Sequence, residues 1–169
     1  MTATVTPTIE TERLTLRQAR IEDFEIHNEF YSSERSHFVG GPRDRLENWF
    51  TFLALPGHWV VRGYGYWMVD ERSSGRLIGA VGIIKHDGWP APELGWQLFS
   101  GQGNGYAYEA ATAARNWSAT QGIKELISLI SPDNARSISL AQRLGASKVG
   151  EGDSPFGPIA VWLHPKVGT

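Results

Sequence analysis

The feature that most constrains this chain is a glycine-rich turn between an apolar segment and an alanine-rich helix. Residues Gln102 to Ala110 read QGNGYAYEA, and they follow an apolar run that ends at Leu98 and Phe99. Glycines let the backbone approach a ligand closely, because no Cβ stands in the way. The first turn of the following helix offers unpaired N–H groups and the positive end of the helix dipole. The pattern predicts an anion site, best suited to phosphate or pyrophosphate, although an ordinary turn before a helix would share it.

The composition is that of an ordinary globular protein and excludes several kinds of site. The chain has 169 residues, of which 41% are hydrophobic, and this length allows one domain with a sizeable core. The net charge of -2 does not favour a nucleic-acid partner, which usually requires a basic surface. Because there is no cysteine, disulfides, thiolate metal sites and a cysteine nucleophile are excluded. The five histidines are scattered, so we expect no metal site.

The ends and the hydropathy of the chain predict where the folded domain lies. Residues 1–10 are mostly polar and rich in threonine, which predicts a flexible N-terminal tail followed by a single domain over residues 11–169. No apolar run is long enough to span a membrane, and the first residues do not resemble a signal sequence. We therefore expect a cytoplasmic protein without a membrane partner.

Hydrophobic periodicity predicts a domain that mixes strands and helices. The predicted strands are residues 14–17, 65–70, 77–84, 93–99, 123–130 and 159–163, and the predicted helices are 21–31, 43–53, 106–121 and 135–144. The glycine- and proline-rich segment after Lys148 predicts a loop before the last strand. This order is typical of an α+β or mixed α/β domain.

Two familiar phosphate motifs are absent. A Walker loop requires Gly-Lys followed by Ser or Thr, and the chain contains no Gly-Lys. The dinucleotide fingerprint would require a third glycine where the chain has Tyr108. A nucleotide-binding enzyme of either kind is therefore disfavoured.

Five segments occur in the order found in the GNAT N-acetyltransferases, and the chain resembles in particular the branch that includes the ribosomal-protein acetyltransferases. The resemblance extends over almost the whole chain, from about Thr11 to Pro165. The segments are Thr11–Arg17, Gly75–Gly79, Glu93–Trp96, Gly103–Ala110, and Asn134–Ile138 with Leu144–Gly145.

This resemblance implies a fold, a co-substrate and a reaction. The implied fold is α+β, a mixed sheet of about six to seven strands flanked by about four helices and splayed into a V between its fourth and fifth strands. Acetyl-CoA is the implied co-substrate, bound in the V, and its acetyl group is transferred to a primary amine by direct attack in a ternary complex. By the same resemblance, the residues that hold the cofactor are Leu98, Phe99, Gly103, Asn104, Gly105, Tyr106, Ala107, Asn134 and Ser137.

The implied chemistry requires a base and a proton donor. An alkyl amine has a pKa of about 10, so its proton must be removed before it attacks. Glu93, on the strand beside the implied cofactor site, is the candidate base, and a hydrogen bond to a neighbouring loop is an equally good explanation for it. Many relatives protonate the leaving thiolate with a tyrosine where this chain has Ala141. Ser137 is the candidate substitute, although a serine in a first helical turn is often a cap.

The acceptor is expected to be a small-molecule or peptide amine, bound near the early helices, the segment around His58 and Trp59, and the loop at Trp89. Three acidic residues are candidates for attracting a cationic amine, although surface charges are usually just solvated: Glu34, Asp44 and Asp87. A homodimer is plausible for this family. The alternative function is a CoA-binding sensor domain without turnover. Two departures motivate it: Ala141 in place of the tyrosine, and Ser100 where relatives usually carry Arg or Gln.

Overall fold

A computed structural model describes residues 6–155 and 157–167 of the chain. Its strands are β1 (Ile9–Glu10), β2 (Leu14–Arg17), β3 (Tyr66–Glu71), β4 (Leu77–Ile84), β5 (Glu93–Leu98), β6 (Ile127–Ile130), β7 (Ser147–Ser154) and β8 (Gly157–Leu163). Its α-helices are α1 (Phe24–Tyr31), α2 (Arg45–Arg62), α3 (Tyr106–Thr120) and α4 (Ala135–Arg143). Two short 3₁₀ helices cover Ile21–Asp23 and Glu34–Val39.

The strands form one mixed sheet in the order β1-β2-β3-β4-β5-β6-β8-β7. Every neighbouring pair is antiparallel except β5 and β6, which run parallel and share one paired position, Glu93 with Ile127. Beyond that position the two strands separate, so the sheet opens towards the end of β5. The predicted mixed sheet flanked by helices is confirmed, and its predicted fourth and fifth strands are β5 and β6.

Each face of the sheet is covered by helices that bury an apolar surface. On one face, Ala110, Ala111 and Ala114 of α3 are buried against side chains such as Trp67 and Leu94. Small side chains let this helix lie close to the sheet, and close packing stabilises it through dispersion and exclusion of water. On the other face, α1 and α2 bury an aromatic cluster over β3, β4 and the end of β5: Phe24, Phe30, Tyr31, Phe52, Tyr66 and Phe99.

Helix α2 is longer than its sequence predicted, because tertiary burial outweighs two helix-breaking residues. It begins at an Asp44 cap, whose carboxylate accepts from the Glu47 amide at 2.9 Å, and it continues past Pro56 to Arg62. Trp59, near its end, is 1% exposed and packs against the rings of Trp67 and Trp117 at centroid distances of 4.7 and 5.3 Å. The expectation that Trp59 faces an acceptor is therefore wrong, because it belongs to the core.

Two peripheral segments differ from the sequence prediction. Strand β7 replaces the loop predicted after Lys148; it is an exposed edge strand, so no hydrophobic alternation marked it. Within the predicted flexible tail, Thr6 is buried, the Pro7 carbonyl accepts from Trp67 Nε1 at 2.7 Å, and β1 pairs with β2. Residues 6–10 are thus packed against the domain, and residues 1–5 lie outside the described part of the chain. No helix within the described residues is long and apolar enough to cross a membrane.

An ion-pair network ties the start of α1 to the sheet. Arg17, with a side chain 9% exposed, donates two hydrogen bonds of 2.8 Å to Asp23 and bonds of 2.5 and 2.9 Å to Asp70. Both carboxylates favour the charged guanidinium and raise the pKa of Arg17 in spite of the burial that opposes it. Removing Arg17 would leave two carboxylates without their partner in a region of low water access.

We therefore expect Arg17→Ala to lower the free energy of unfolding by about 3–5 kcal/mol, measured by urea denaturation. Arg45→Ala is the matched control and should lower this free energy far less, because the pair of Arg45 with Glu25 is more than half exposed on both sides and is screened by water. Equal, small effects of the two substitutions would contradict this role for Arg17.

Candidate active site

The glycine turn before α3 has the geometry of an anion site. Gly101, Gly103 and Gly105 have φ angles of 73°, 87° and 80°, in the left-handed region that favours glycine. Gly105 is the N-cap of α3, and the first hydrogen bond of the helix runs from the Glu109 amide to the Gly105 carbonyl at 3.1 Å. The amides of the turn and of the first helical turn, from Gly103 to Ala107, are therefore open to a ligand. A Cβ on Gly103 would have no atom within 4 Å, so the space above the turn is free.

Arg13 supplies this turn with a cation that the sequence analysis did not assign. Its Nη1 donates to the Asn104 carbonyl at 2.9 Å, and its Nε donates to Glu109 Oε2 at 2.7 Å. The guanidinium also lies over the Tyr106 ring, 4.8 Å from its centroid. Although burial opposes it, hydrogen bonds from Thr11 and Arg13 lower the pKa of Glu109, which keeps this anchor charged. Arg13 lies in a segment that carried the family resemblance, but only the fold reveals its proximity to the turn.

Strand β5 presents one edge of its backbone to the opening of the sheet. The Phe99 amide donates to the Ile78 carbonyl of β4 at 2.8 Å, and Leu98 is paired with Gly79. In an antiparallel ladder, residues that flank such a bond point their own amides the other way, so the N–H of Leu98 faces the opening. The N–H of Trp96, two residues earlier, faces the opening for the same reason. Of the expected pair, Leu98 has a free N–H and Phe99 does not.

Glu93 lies at the apex of the opening, where the β5–β6 ladder ends. Its Oε1 accepts from the Leu129 amide of β6 at 3.1 Å, in place of the next ladder bond. One residue along, the Ser128 hydroxyl donates to the Leu94 carbonyl at 2.6 Å and bridges the same gap. Burial raises the pKa of Glu93 to about 8, with the Leu129 hydrogen bond opposing the shift. Its second carboxyl oxygen has no hydrogen bond to any described residue.

Tyr66 lies beside Glu93 and Gln97 and forms with them a polar cluster on one face of β5. Alternation along the strand puts Glu93, Gly95 and Gln97 on this face. A Cβ on Gly95 would lie 1.9 Å from Tyr66 Oη, so the missing side chain is what admits the hydroxyl. Gln97 Nε2 lies 3.4 Å from Tyr66 Oη. Burial, and next the nearby Glu93, raise the pKa of Tyr66 well above 10, so its hydroxyl keeps its proton.

Ser137 and Asn134 lie on the other side of the opening, at the start of α4. Asn134 Oδ1 caps the helix by accepting from the Ser137 amide at 3.2 Å. Ser137 Oγ accepts from Trp96 Nε1 of β5 at 3.2 Å, which leaves the hydroxyl proton of Ser137 for another acceptor. Asn134 Nδ2 likewise donates to no described residue. Ala141, where relatives carry the tyrosine, is fully buried.

Two of the residues expected to bind the acceptor, His58 and Asp44, have structural roles instead. Both ring nitrogens of His58 are engaged, with Nδ1 2.5 Å from the Tyr64 carbonyl and Nε2 accepting from the Lys85 amide at 3.2 Å. Asp44 caps α2. Glu34 and Asp87 are exposed. No group of three or more His, Asp or Glu side chains suited to a metal ion occurs among the residues that the structure describes.

The contact between Gly95 and Tyr66 leads to a stability prediction. Gly95→Ala forces the buried Tyr66 ring to move and should cost about 1–3 kcal/mol in the free energy of unfolding, as overpacking usually does. Adding Tyr66→Phe removes the clashing hydroxyl, so the double variant should be more stable than Gly95→Ala alone, as measured by urea denaturation. Strict additivity of the two changes would show that the side chains do not meet.

Solved structures of known acetyltransferases share this fold. The ribosomal-protein-S5-alanine acetyltransferase from Vibrio fischeri is 19% identical, with a TM-score of 0.74 over 95% of this chain and 97% of that one. The ribosomal L7/L12 α-N-protein acetyltransferase RimL in complex with coenzyme A is 17% identical, with a TM-score of 0.76 over 94% and 97%. At these identities the similarity concerns the fold alone.

Two further comparisons identify the family. An acetyltransferase from Agrobacterium tumefaciens str. C58 is 37% identical to this chain, and the two structures superpose with a TM-score of 0.87 over 95% of each. Residues 13–147, most of the chain, match the acetyltransferase (GNAT) domain family. The chain therefore belongs to the GNAT family of acetyl-CoA-dependent N-acetyltransferases.

Proposed function

We propose that this enzyme acetylates a primary amine by direct attack in a ternary complex, with Glu93 as base and Ser137 as hydrogen-bond donor to the leaving sulfur. The observation that carries the proposal is the opening between β5 and β6, which has Glu93 at its apex and Ser137 on its far side. Acetyl-CoA supplies the thioester carbon that the amine attacks. The amine and the co-substrate would meet in this opening, so no acetylated enzyme is needed.

The residues around the opening fit the co-substrate. The amides from Gly103 to Ala107 and the adjacent Arg13 suit a pyrophosphate, because they combine free N–H donors with a positive charge. The N–H of Leu98 and Nδ2 of Asn134 are available to donate to carbonyl groups of the pantetheine arm, whereas the Leu98 carbonyl already accepts from Gln102 Nε2 at 2.9 Å. Since the Phe99 amide is bonded to Ile78, we assign the cofactor contact on this strand to Leu98.

The proposed chemistry divides the proton transfers between two residues. A protonated amine cannot attack, so one proton must leave the nitrogen before the C–N bond forms and a second must leave as it forms. The free oxygen of Glu93 is placed to take one of them, and the other ends on the sulfur of CoA. The C–S bond then breaks, and the electron pair goes to sulfur. A thiol has a pKa of about 8.5, so the departing thiolate needs little more than a hydrogen bond at neutral pH, and the Ser137 hydroxyl can donate one.

A CoA-binding sensor without turnover is the second candidate. Two observations favour it: the fully buried Ala141 where relatives have a tyrosine, and a Glu93 whose carboxyl is mostly protonated at neutral pH. Consumption of acetyl-CoA against a panel of amines separates the two functions. Binding of acetyl-CoA without turnover across the panel would support the sensor.

The pKa of Glu93 gives a pH prediction. Because burial raises this pKa to about 8, the basic form accumulates only as the pH rises through that value, and kcat/KM should rise with it. Glu93→Gln should lower turnover about 10²- to 10⁴-fold and remove the rise of kcat/KM around pH 8, with the Kd for acetyl-CoA nearly unchanged. Ionisation of the acceptor amine changes the pH profiles of the wild type and of Glu93→Gln in the same way, so the difference between the two profiles reports on Glu93.

Glu125→Gln is the matched control, since Glu125 is an exposed carboxylate that forms no hydrogen bond or ion pair with a described residue. If Glu93→Gln keeps the rate and the pH profile of the wild type, Glu93 serves only to bridge β5 and β6.

The glycine turn gives a binding prediction. Gly105→Val places a β-branched side chain at a left-handed position beside the open amides, so the rise in Tm that acetyl-CoA causes should largely disappear. Gly122→Val is the control, because Gly122 has a φ of 75° and open space around it at the opposite end of α3. Both variants carry similar backbone strain, but only the control should respond to acetyl-CoA. An undiminished shift in Gly105→Val would refute the assignment of the turn.

A further inference from the structure

Arg35 lies at the end of β5, beside the opening. Its Nη2 donates to the Phe99 carbonyl at 2.5 Å and lies 3.4 Å from the Leu98 carbonyl. The guanidinium stacks over the Phe30 ring of α1, 5.4 Å from the centroid. These contacts fix the charge next to the strand end that we assign to the pantetheine arm of the co-substrate, on the face covered by α1 and α2.

Arg43 holds a second positive charge at the same end of α1. Its Nε and Nη2 donate to the Gly40 and Val39 carbonyls, each at 2.8 Å, and its guanidinium lies 4.7 Å from the centroid of the Tyr31 ring. Tyr31 follows Phe30, and the two rings pack edge to face at 5.1 Å. The two arginines therefore rest on adjacent aromatic residues in the last turn of α1.

Neither arginine has a carboxylate partner among the residues described. Five other arginines of the chain do form ion pairs: Arg13, Arg17, Arg45, Arg72 and Arg76. Arg35 and Arg43 bond instead to neutral carbonyls and use only part of their five donors. Arg35 keeps Nε and Nη1, and Arg43 keeps Nη1. A guanidinium with free donors beside a binding site is suited to a carboxylate, which it can bind through two parallel hydrogen bonds.

The side chains packed beside these arginines are mostly aromatic, and one histidine lies among them. His27 is 4% exposed, its ring lies 4.5 Å from Tyr31 and 6.5 Å from Phe99, and its Nδ1 has no partner among the described residues. Burial, and then the charge of Arg43, lower the pKa of His27 to about 4, so the ring is neutral at pH 7. Of the three acidic residues considered for a cationic amine, Asp44 is already engaged as a cap.

We propose that the acceptor is an amine that also bears a carboxylate, bound by Arg35 with Arg43 as the second cation. This assignment rests on the proposed function, because it presumes that the amine reaches the opening beside Leu98. Free α-amino acids share this chemistry with peptides that have an acidic residue next to their N-terminus.

The experiment compares matched acceptors with the full-length enzyme. One arm uses free amino acids and their carboxamides, and the other uses short peptides with Glu or Gln after the N-terminal residue. In at least one arm, kcat/KM for the carboxylate should exceed that for its neutral isostere by about tenfold or more, as expected for a charge-assisted hydrogen bond. The arm with the larger ratio identifies the source of the carboxylate.

Substitution then tests the arginines. Arg35→Gln should reduce this ratio to near one, because it should raise the KM for the carboxylate acceptor much more than the KM for its neutral isostere or for acetyl-CoA. Arg43→Gln should reduce it in part. Arg62→Gln is the control, because Arg62 is an exposed arginine at the end of α2 with no ion pair to a described residue, and it should keep the wild-type ratio.

The outcomes separate the two proposals. Turnover without preference for carboxylates, or a loss in Arg35→Gln that falls on acetyl-CoA instead of the acceptor, would overturn the carboxylate assignment and leave amine acetylation standing. Binding of acetyl-CoA without consumption in either arm, or with simple alkyl amines, would overturn both.

Discussion

The single parallel contact between β5 and β6 is the constraint on which the rest of the structure depends. After Glu93 meets Ile127 the two strands diverge, and the groups that a ladder would have joined must find other partners. Near the apex, side chains take over: the Glu93 carboxyl accepts from the Leu129 amide, and Ser128 donates to the Leu94 carbonyl. Beyond the apex, the N–H groups of Trp96 and Leu98 remain open to a ligand. At the apex, burial raises the pKa of the Glu93 carboxyl. The same divergence of the strands leaves the amides of Trp96 and Leu98 free for a co-substrate.

The other parts of the site are arranged around this opening. The glycine turn follows directly from the free end of β5, so the anion site and the open strand edge form one continuous surface. Arg13 reaches the turn from β1–β2, and Ser137 reaches the far side from α4, held by Trp96 of β5 itself. On the acceptor side, the cations Arg35 and Arg43 rest on the last turn of α1. Three elements far apart in sequence therefore converge on one strand end.

The sequence predicted those features that local pattern determines. The apolar β4 at 77–84, the glycine turn and the capped α4 were predicted closely, because periodicity, glycine spacing and an Asn cap mark them directly. The length of α2 was underestimated because Pro56 and Gly57 favour an end, whereas burial of Trp59 beside two other tryptophans extends the helix. The edge strand β7 was missed because an exposed strand carries no hydrophobic alternation. Arg13, Tyr66 and Arg35 were missed for a different reason: each acts on a residue dozens of positions away, and only the tertiary fold brings them together.

Amide hydrogen exchange, followed residue by residue by NMR with and without CoA, tests the central claim most directly. In the free protein, the Leu98 amide and those from Gly103 to Ala107 should exchange quickly, whereas the Phe99 amide should already be protected by Ile78. CoA should slow exchange at Leu98 and through the turn and leave Phe99 nearly unchanged. Protection of Leu98 in the free protein, or slowing by CoA at a site away from the β5–β6 opening, would contradict the account.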